Sequence, residues 1–245
     1  MPAARELLLN AAFAALRDLP WSAVRMVDVA SAAEVSRQTL YNEFGSKDGL
    51  ARALVRREAD SYLRGVERLL GQSAGAGERL VSVAEWTVGE ARARPVLRAL
   101  LTGCWEEQLP VPKPVRSGAA LSGVPAQRRA DARPPLPAEL VAAVRDRSLA
   151  SLRRGRRLRD GRAADEPADF PQRCELAVRL ALSYVVAPAG GSVAQLVRAA
   201  VCDGGDATGP GADGVGATPP GADRVSATRP RADRVSVTSP RAGDR

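Results

Sequence analysis

From Ser36 to Asn42 the chain reads Ser-Arg-Gln-Thr-Leu-Tyr-Asn, and Arg37, Gln38, Thr39, Tyr41 and Asn42 are side chains able to read nucleic acid. A guanidinium pairs with O6 and N7 of guanine, and a carboxamide pairs with adenine. The Thr methyl can touch the thymine methyl, while a Tyr hydroxyl or Lys ammonium can meet phosphate. Lys47 follows closely, after a Ser46 placed to open a helix whose first amides favour an anion. Polar residues on a short helix also make an ordinary solvated face, so the weight rests on the elements that present them.

Leu8, Ala11, Ala12, Ala15, Leu16 and Leu19 recur at helical spacing and predict an amphipathic helix over residues 5–19, broken by Pro20 and Trp21. A short helix over 27–33 presents Val29, Ala30 and Ala33 on one side. After the turn Glu34-Val35-Ser36, a second short helix runs from Arg37 to Phe44 with Leu40 and Phe44 inward. Ser36 is suited to cap it, because its hydroxyl can accept from the next turn's amides, and Gly45 is suited to end it. Ser46 then caps a long helix from Lys47 to Leu70. Two short helices joined by a tight turn, the second with its polar side outward, form a helix-turn-helix able to place one helix in a DNA major groove.

The stretch VDVASAAEVSRQTLYNEFGSKDGL resembles the N-terminal signature of the TetR family of bacterial transcriptional regulators, and the resemblance covers about residues 5–60. It implies an all-α protein acting as a homodimer, with a DNA-binding head and a larger helical domain that dimerises and binds a small effector. Carried onto this chain, Arg37, Gln38, Thr39, Tyr41 and Asn42 occupy the recognition-helix positions, and Lys47 matches the family's phosphate-contacting lysine. Two positions depart from the pattern. Glu34 stands where the family usually has Gly, so it must tolerate a left-handed backbone or alter the turn. Arg25 stands where the family often has a capping Thr, which loses a cap and offers a further phosphate contact. The expected DNA-binding set is therefore Arg25, Ser36, Arg37, Gln38, Thr39, Tyr41, Asn42 and Lys47.

Helical periodicity continues over 80–93, 95–108, 137–158, 171–187 and 192–202, with almost no strand-like alternation. RPVLRALLTG at 94–103 and VRLALSYVVAP at 178–188 resemble the family's effector domain more loosely. Trp86, Trp105 and Tyr184 combine an apolar body with a hydrogen-bonding tip and are candidates to line an effector pocket, against the plainer role of core packing. The helix at 172–187 carries Leu176, Leu180, Ser183 and Tyr184, with small Ala177 and Ala181 nearby. That surface could pair with its copy across a two-fold axis or be buried within its own subunit.

The expected organisation is a DNA-binding domain over 1–50, with its motif at about 25–44, and a helical effector-binding and dimerisation domain over 51–203. A flexible Pro/Gly/Arg-rich loop is expected at about 110–136. Residues 204–245 form a ten-residue repeat (ATPPGADRVS, ATRPRADRVS) rich in Pro and Gly, which reads as a disordered tail.

The net charge is +8, yet residues 1–70 carry ten Lys/Arg against nine Asp/Glu, and 145–162 carry eight Arg against two Asp. A nearly neutral head implies that affinity relies on two heads bound together. The run SLRRGRRLRDGR at 151–162 supports an alternative, a helical interaction protein that binds RNA or an acidic partner, though a solvated helix end is the simpler reading. Histidine is absent, and Cys104, Cys174 and Cys202 lie far apart, which leaves no His-based triad, HExxH helix or CxxC pair. No phosphate-cradling Gly loop occurs either, so neither an enzyme, a metal site nor a cofactor is expected. Free thiols, no signal-like start and no apolar run long enough for a span suit a soluble cytoplasmic protein without membrane contact.

Overall fold

The computed structural model describes residues 2–72, 74–114, 132–160, 170–188 and 190–202, all within one compact unit, Met1–Ala207. The tail expected at 204–245 and the middle of the loop expected at 110–136 lie outside the described residues. So do the side chains of 155–162, most of the arginine run. Every regular element among the described residues is a helix: α1 (Pro2–Ala15), α2 (Met26–Ala32), α3 (Arg37–Phe44), α4 (Lys47–Leu70), α5 (Ala76–Ala93), α6 (Pro95–Thr102), α7 (Pro137–Asp160), α8 (Phe170–Val186) and α9 (Val193–Cys202). None of these is long and apolar enough to cross a membrane.

Two apolar clusters organise the chain. Leu8, Leu9 and Ala12 of α1, Val29 and Ala30 of α2, Leu40 and Phe44 of α3, and Leu50, Ala51, Ala53 and Leu54 of α4 enclose the first. Removing a leucine or phenylalanine side chain from water contributes about 2 kcal/mol, which is how such small helices hold together. The second begins one residue further along α4, at Val55, and continues through Ala59, Tyr62, Val66 and Leu70 into α5–α9. One continuous helix thus supplies a wall to both cores, so its tilt and the placement of the head are linked.

Polar groups fasten α4 to the body. The Arg94 guanidinium, at the α5–α6 corner, lies 2.7 Å from the buried Glu58 carboxylate. Arg79, itself buried, donates to the carbonyls of Ala74 and Leu70, both at 2.9 Å, and the Ser151 hydroxyl donates to Leu70 at 3.0 Å. These donors satisfy a helix-terminal carbonyl that has no partner within its own helix.

Several expected boundaries differ. Helix α1 ends at Ala15 rather than 19, because tighter turn bonds follow and Leu19 is left outside the core, 47% exposed. Helix α6 ends at Thr102 rather than at 108: Gly103 adopts a left-handed backbone with φ of 76°, and its amide closes the helix on the Ala99 carbonyl. The segment from Gly103 to Pro114 is therefore non-helical and carries Trp105. On α8, Ala177, Ala181 and Tyr184 are buried within their own subunit, which takes them off the surface expected to pair with a second copy. Leu176 and Ser183 remain exposed, and Val186 lies outermost at 67%.

Candidate nucleic-acid interface

Helix α3 begins where Ser36 changes the backbone from extended to helical, and Ser36 Oγ accepts from the Thr39 amide at 3.1 Å. The same oxygen lies 2.8 Å from the Thr39 hydroxyl, which holds Thr39 half-buried at the start of the helix. Leu40 and Phe44 point into the core. That rotation turns Arg37, Gln38, Tyr41 and Asn42 outward, and Tyr41 is 46% exposed despite its size. The Gln38 carboxamide donates to Asn42 Oδ1 at 2.9 Å, so the two carboxamides one turn apart are mutually oriented.

The preceding turn resolves the Glu34 departure. Glu34 has φ of 53°, the only non-glycine residue with positive φ among the described residues, and its amide donates to the Ser31 carbonyl at 3.0 Å. The turn keeps the conformation glycine would favour and bears the strain of a side chain there. Arg25 precedes α2 and makes no side-chain cap. Its guanidinium instead grips Asp28 at 2.8 and 3.2 Å, and that hydrogen bond, with the charge of Asp28, holds the Arg25 pKa above its ordinary value.

Ser46 caps α4 by accepting from the Gly49 amide at 3.1 Å. The end of α3 meets this first turn so closely that a Cβ on Gly49 would lie 1.9 Å from the Phe44 carbonyl oxygen. Lys47 donates to the Ser22 carbonyl at 3.1 Å and lies 5.1 Å from the centroid of the Trp21 ring. Burial lowers its pKa, with Asp48 opposing and Lys113 adding to the effect. The ammonium is thus drawn to the α1–α2 turn, beside the α3–α4 junction.

The three candidates for an effector pocket are not brought together. Trp86 stacks nearly parallel on Tyr62, with ring centroids 5.6 Å apart. Tyr62 is buried, its hydroxyl 3.0 Å from that of Thr87, and burial pushes its pKa up to about 12. Tyr184 belongs to the core of the body. Trp105, by contrast, lines a cavity of about 430 Å³ together with Arg52, Leu100, Lys113 and Arg133. Arg52, Lys113 and Arg133 were not anticipated from sequence, since nothing in their local pattern distinguishes them from solvated charges. Of the arginine-rich region, Arg145 and Arg147 already engage carboxylates, Arg145 at Asp146 and Glu175, Arg147 at Glu67.

Three helices around a small core, the third capped by serine and turning a polar face outward, define a helix-turn-helix head on an all-helical body. Residues 8–54 match the family model described as bacterial regulatory proteins, tetR family. Residues 8–54 thus form a DNA-binding domain of the kind found in TetR-family transcriptional regulators. It is 41% identical over 106 residues to the HTH-type transcriptional regulator AlkX of Mycobacterium tuberculosis (strain ATCC 25618 / H37Rv), a match covering 41% of this chain and 50% of that protein. The chain thus spans about half the length of that curated relative. Among solved structures it is similar to the TetR family repressor AlkX from Dietzia sp. strain DQ12-45-1b, implicated in biodegradation of n-alkanes (TM-score 0.47, 18% identity, 81% of this chain and 94% of that one). A tetR-family regulator from Streptomyces coelicolor is also similar (TM-score 0.46, 20% identity, 83% of this chain and 79% of that one).

Proposed function

We propose that the chain is a ligand-responsive transcriptional repressor that binds a near-palindromic operator as a homodimer. The observation that carries this reading is the face of α3, where Arg37, Gln38, Tyr41 and Asn42 turn outward from a capped, rigidly buttressed helix. Arg37 and the paired carboxamides of Gln38 and Asn42 supply base-edge contacts, with the Thr39 methyl available to thymine. Tyr41, Ser36, Lys47 and Arg25 hold the phosphates on either side, which fixes register without reading sequence. Dimerisation would place two such helices in successive major grooves, about 34 Å apart.

The exposed Leu176 and Val186 of α8, with Leu196 of α9, offer an apolar surface for the second copy. Because α4 walls both cores, a ligand that favours a different α4 tilt would favour heads spaced wrongly for the operator, and DNA would be released by a shift of populations. The domain division proposed is a DNA-binding head over about 1–50 and an effector and dimerisation region over 51–203.

The test is selection of bound fragments from random DNA, followed by titration of the selected site with the wild type, Tyr41→Ala and Asn42→Ala. The expected result is an inverted repeat, with a loss of about 1–3 kcal/mol of specific binding in Asn42→Ala and a weakening in Tyr41→Ala that does not depend on the sequence. Steep salt-dependent binding without any selected sequence, unchanged in both variants, would overturn the reading.

A further inference from the structure

We infer that the cavity beside Trp105 binds a small aryl carboxylate, and that the segment from Gly103 to Pro114 carries its occupancy to the head. The inference rests on the proposed ligand-responsive regulator and names the ligand class and the place where it binds.

At about 430 Å³ the cavity falls within the range of small-molecule sites. Its walls join the start of α4 (Arg52), the end of α6 (Leu100), the segment after it (Trp105, Lys113) and Arg133 with the prolines that lead into α7. Leu100, the indole and the proline rings make the walls largely apolar, suited to an aromatic body. Three cations line the space and no carboxylate does so among the described residues, while Arg133 pairs with Glu139 at 2.6 Å and Lys113 lies 3.7 Å from Asp48. Arg52 is only 5% exposed, and its guanidinium donates to the Lys113 main-chain carbonyl at 3.0 Å, which ties the start of α4 to the segment after α6. An anion in a largely apolar cavity needs such charge-assisted donors, and a carboxylate matches a guanidinium in plane and spacing. One aromatic body with one carboxylate satisfies both features.

The same segment touches the head twice. The Gln108 carbonyl accepts from the Trp21 amide at 2.8 Å, on the turn whose indole lies under Lys47. The Lys113 ammonium lies 3.7 Å from Asp48 in the first turn of α4. A carboxylate in the cavity competes with Asp48 for Lys113 and so loosens that turn, which abuts the end of the recognition helix.

The test is calorimetric titration of the full chain with naphthalene-2-carboxylate and its neutral isostere naphthalene-2-carboxamide, using the wild type and the double variant Lys113→Gln/Arg133→Gln. Both substituted side chains are mostly exposed, so the fold is retained. The wild type is expected to bind the carboxylate about tenfold more tightly than the carboxamide, and the double variant to lose that preference while keeping carboxamide affinity. Equal affinities in the wild type, no binding of the carboxylate, or an unchanged preference in the variant would each overturn the assignment. Because no DNA is present, failure of this titration is separate from failure of operator selection, which bears on the regulator reading alone.

Discussion

The main-chain amide of Trp21 donates to the carbonyl of Gln108 at 2.8 Å, joining the turn after α1 to the non-helical segment after α6. The Trp21 ring in turn lies beneath the ammonium of Lys47. The head is therefore attached to the body through a direct clasp as well as through α4. A movement of the 103–114 segment reaches the proposed phosphate contact without passing along a helix.

Lys47→Gln should weaken binding nearly uniformly across DNA sequences and reduce the slope of log affinity against log salt by about one, because one released counterion is lost. Titrations of the selected site and of an unrelated duplex at several salt concentrations check this. An unchanged slope would show that Lys47 stays on the Ser22 carbonyl in the complex.

Glu34→Gly should stabilise the protein by about 0.5–1 kcal/mol. Relief of a left-handed side-chain conformation outweighs the added freedom of glycine in the unfolded chain. Urea denaturation measures the shift in midpoint, and a destabilised variant would mean that Glu34 makes a compensating interaction.

Gly49→Ala should cost about 1–3 kcal/mol or more, since its methyl would collide with the Phe44 carbonyl, a backbone atom that moves only if α3 and α4 separate. The variant should also lose specific DNA affinity out of proportion to its stability, because the displaced element is the recognition helix. Circular dichroism melts beside operator titrations distinguish the two effects.

Burial pushes the Glu58 carboxyl above the ordinary glutamate range, with Arg94 and then Arg57 opposing. The folded state thus holds the proton more tightly than the unfolded chain. The resulting stabilisation is full at low pH and is lost as pH rises through the raised folded pKa. Glu58→Gln removes this loss, so its stability relative to wild type should improve as pH rises from about 4 through the raised folded pKa. Denaturant midpoints across that range test the sign, and a relative decline would show that attraction to Arg94 outweighs burial.

Much of the head is legible in sequence because its determinants are local. Ser36 and Ser46 act on amides three residues away, and the alternation of Leu40 and Phe44 with polar neighbours sets the outward face of α3. The family resemblance marks Glu34 beforehand as a side chain where glycine is usual, but only the structure decides that the turn keeps its left-handed backbone. The ends of α1 and α6 are less legible, since apolar periodicity persists past the points where turn bonds and Gly103 redirect the backbone. Tyr184 and Leu176 share one amphipathic stripe, and periodicity does not say which of them meets its own core and which is left for a partner.

The sequence by itself determined the all-helical class, the helix-turn-helix and the identity of its outward side chains, because capping and periodicity operate within a turn or two of helix. Only the tertiary structure decided that Arg52, Trp105, Lys113 and Arg133 share one cavity, and that Trp21 and Gln108 are bonded. These residues are remote in the chain, and their meeting depends on how α4 and α6 pack, which no local spacing encodes.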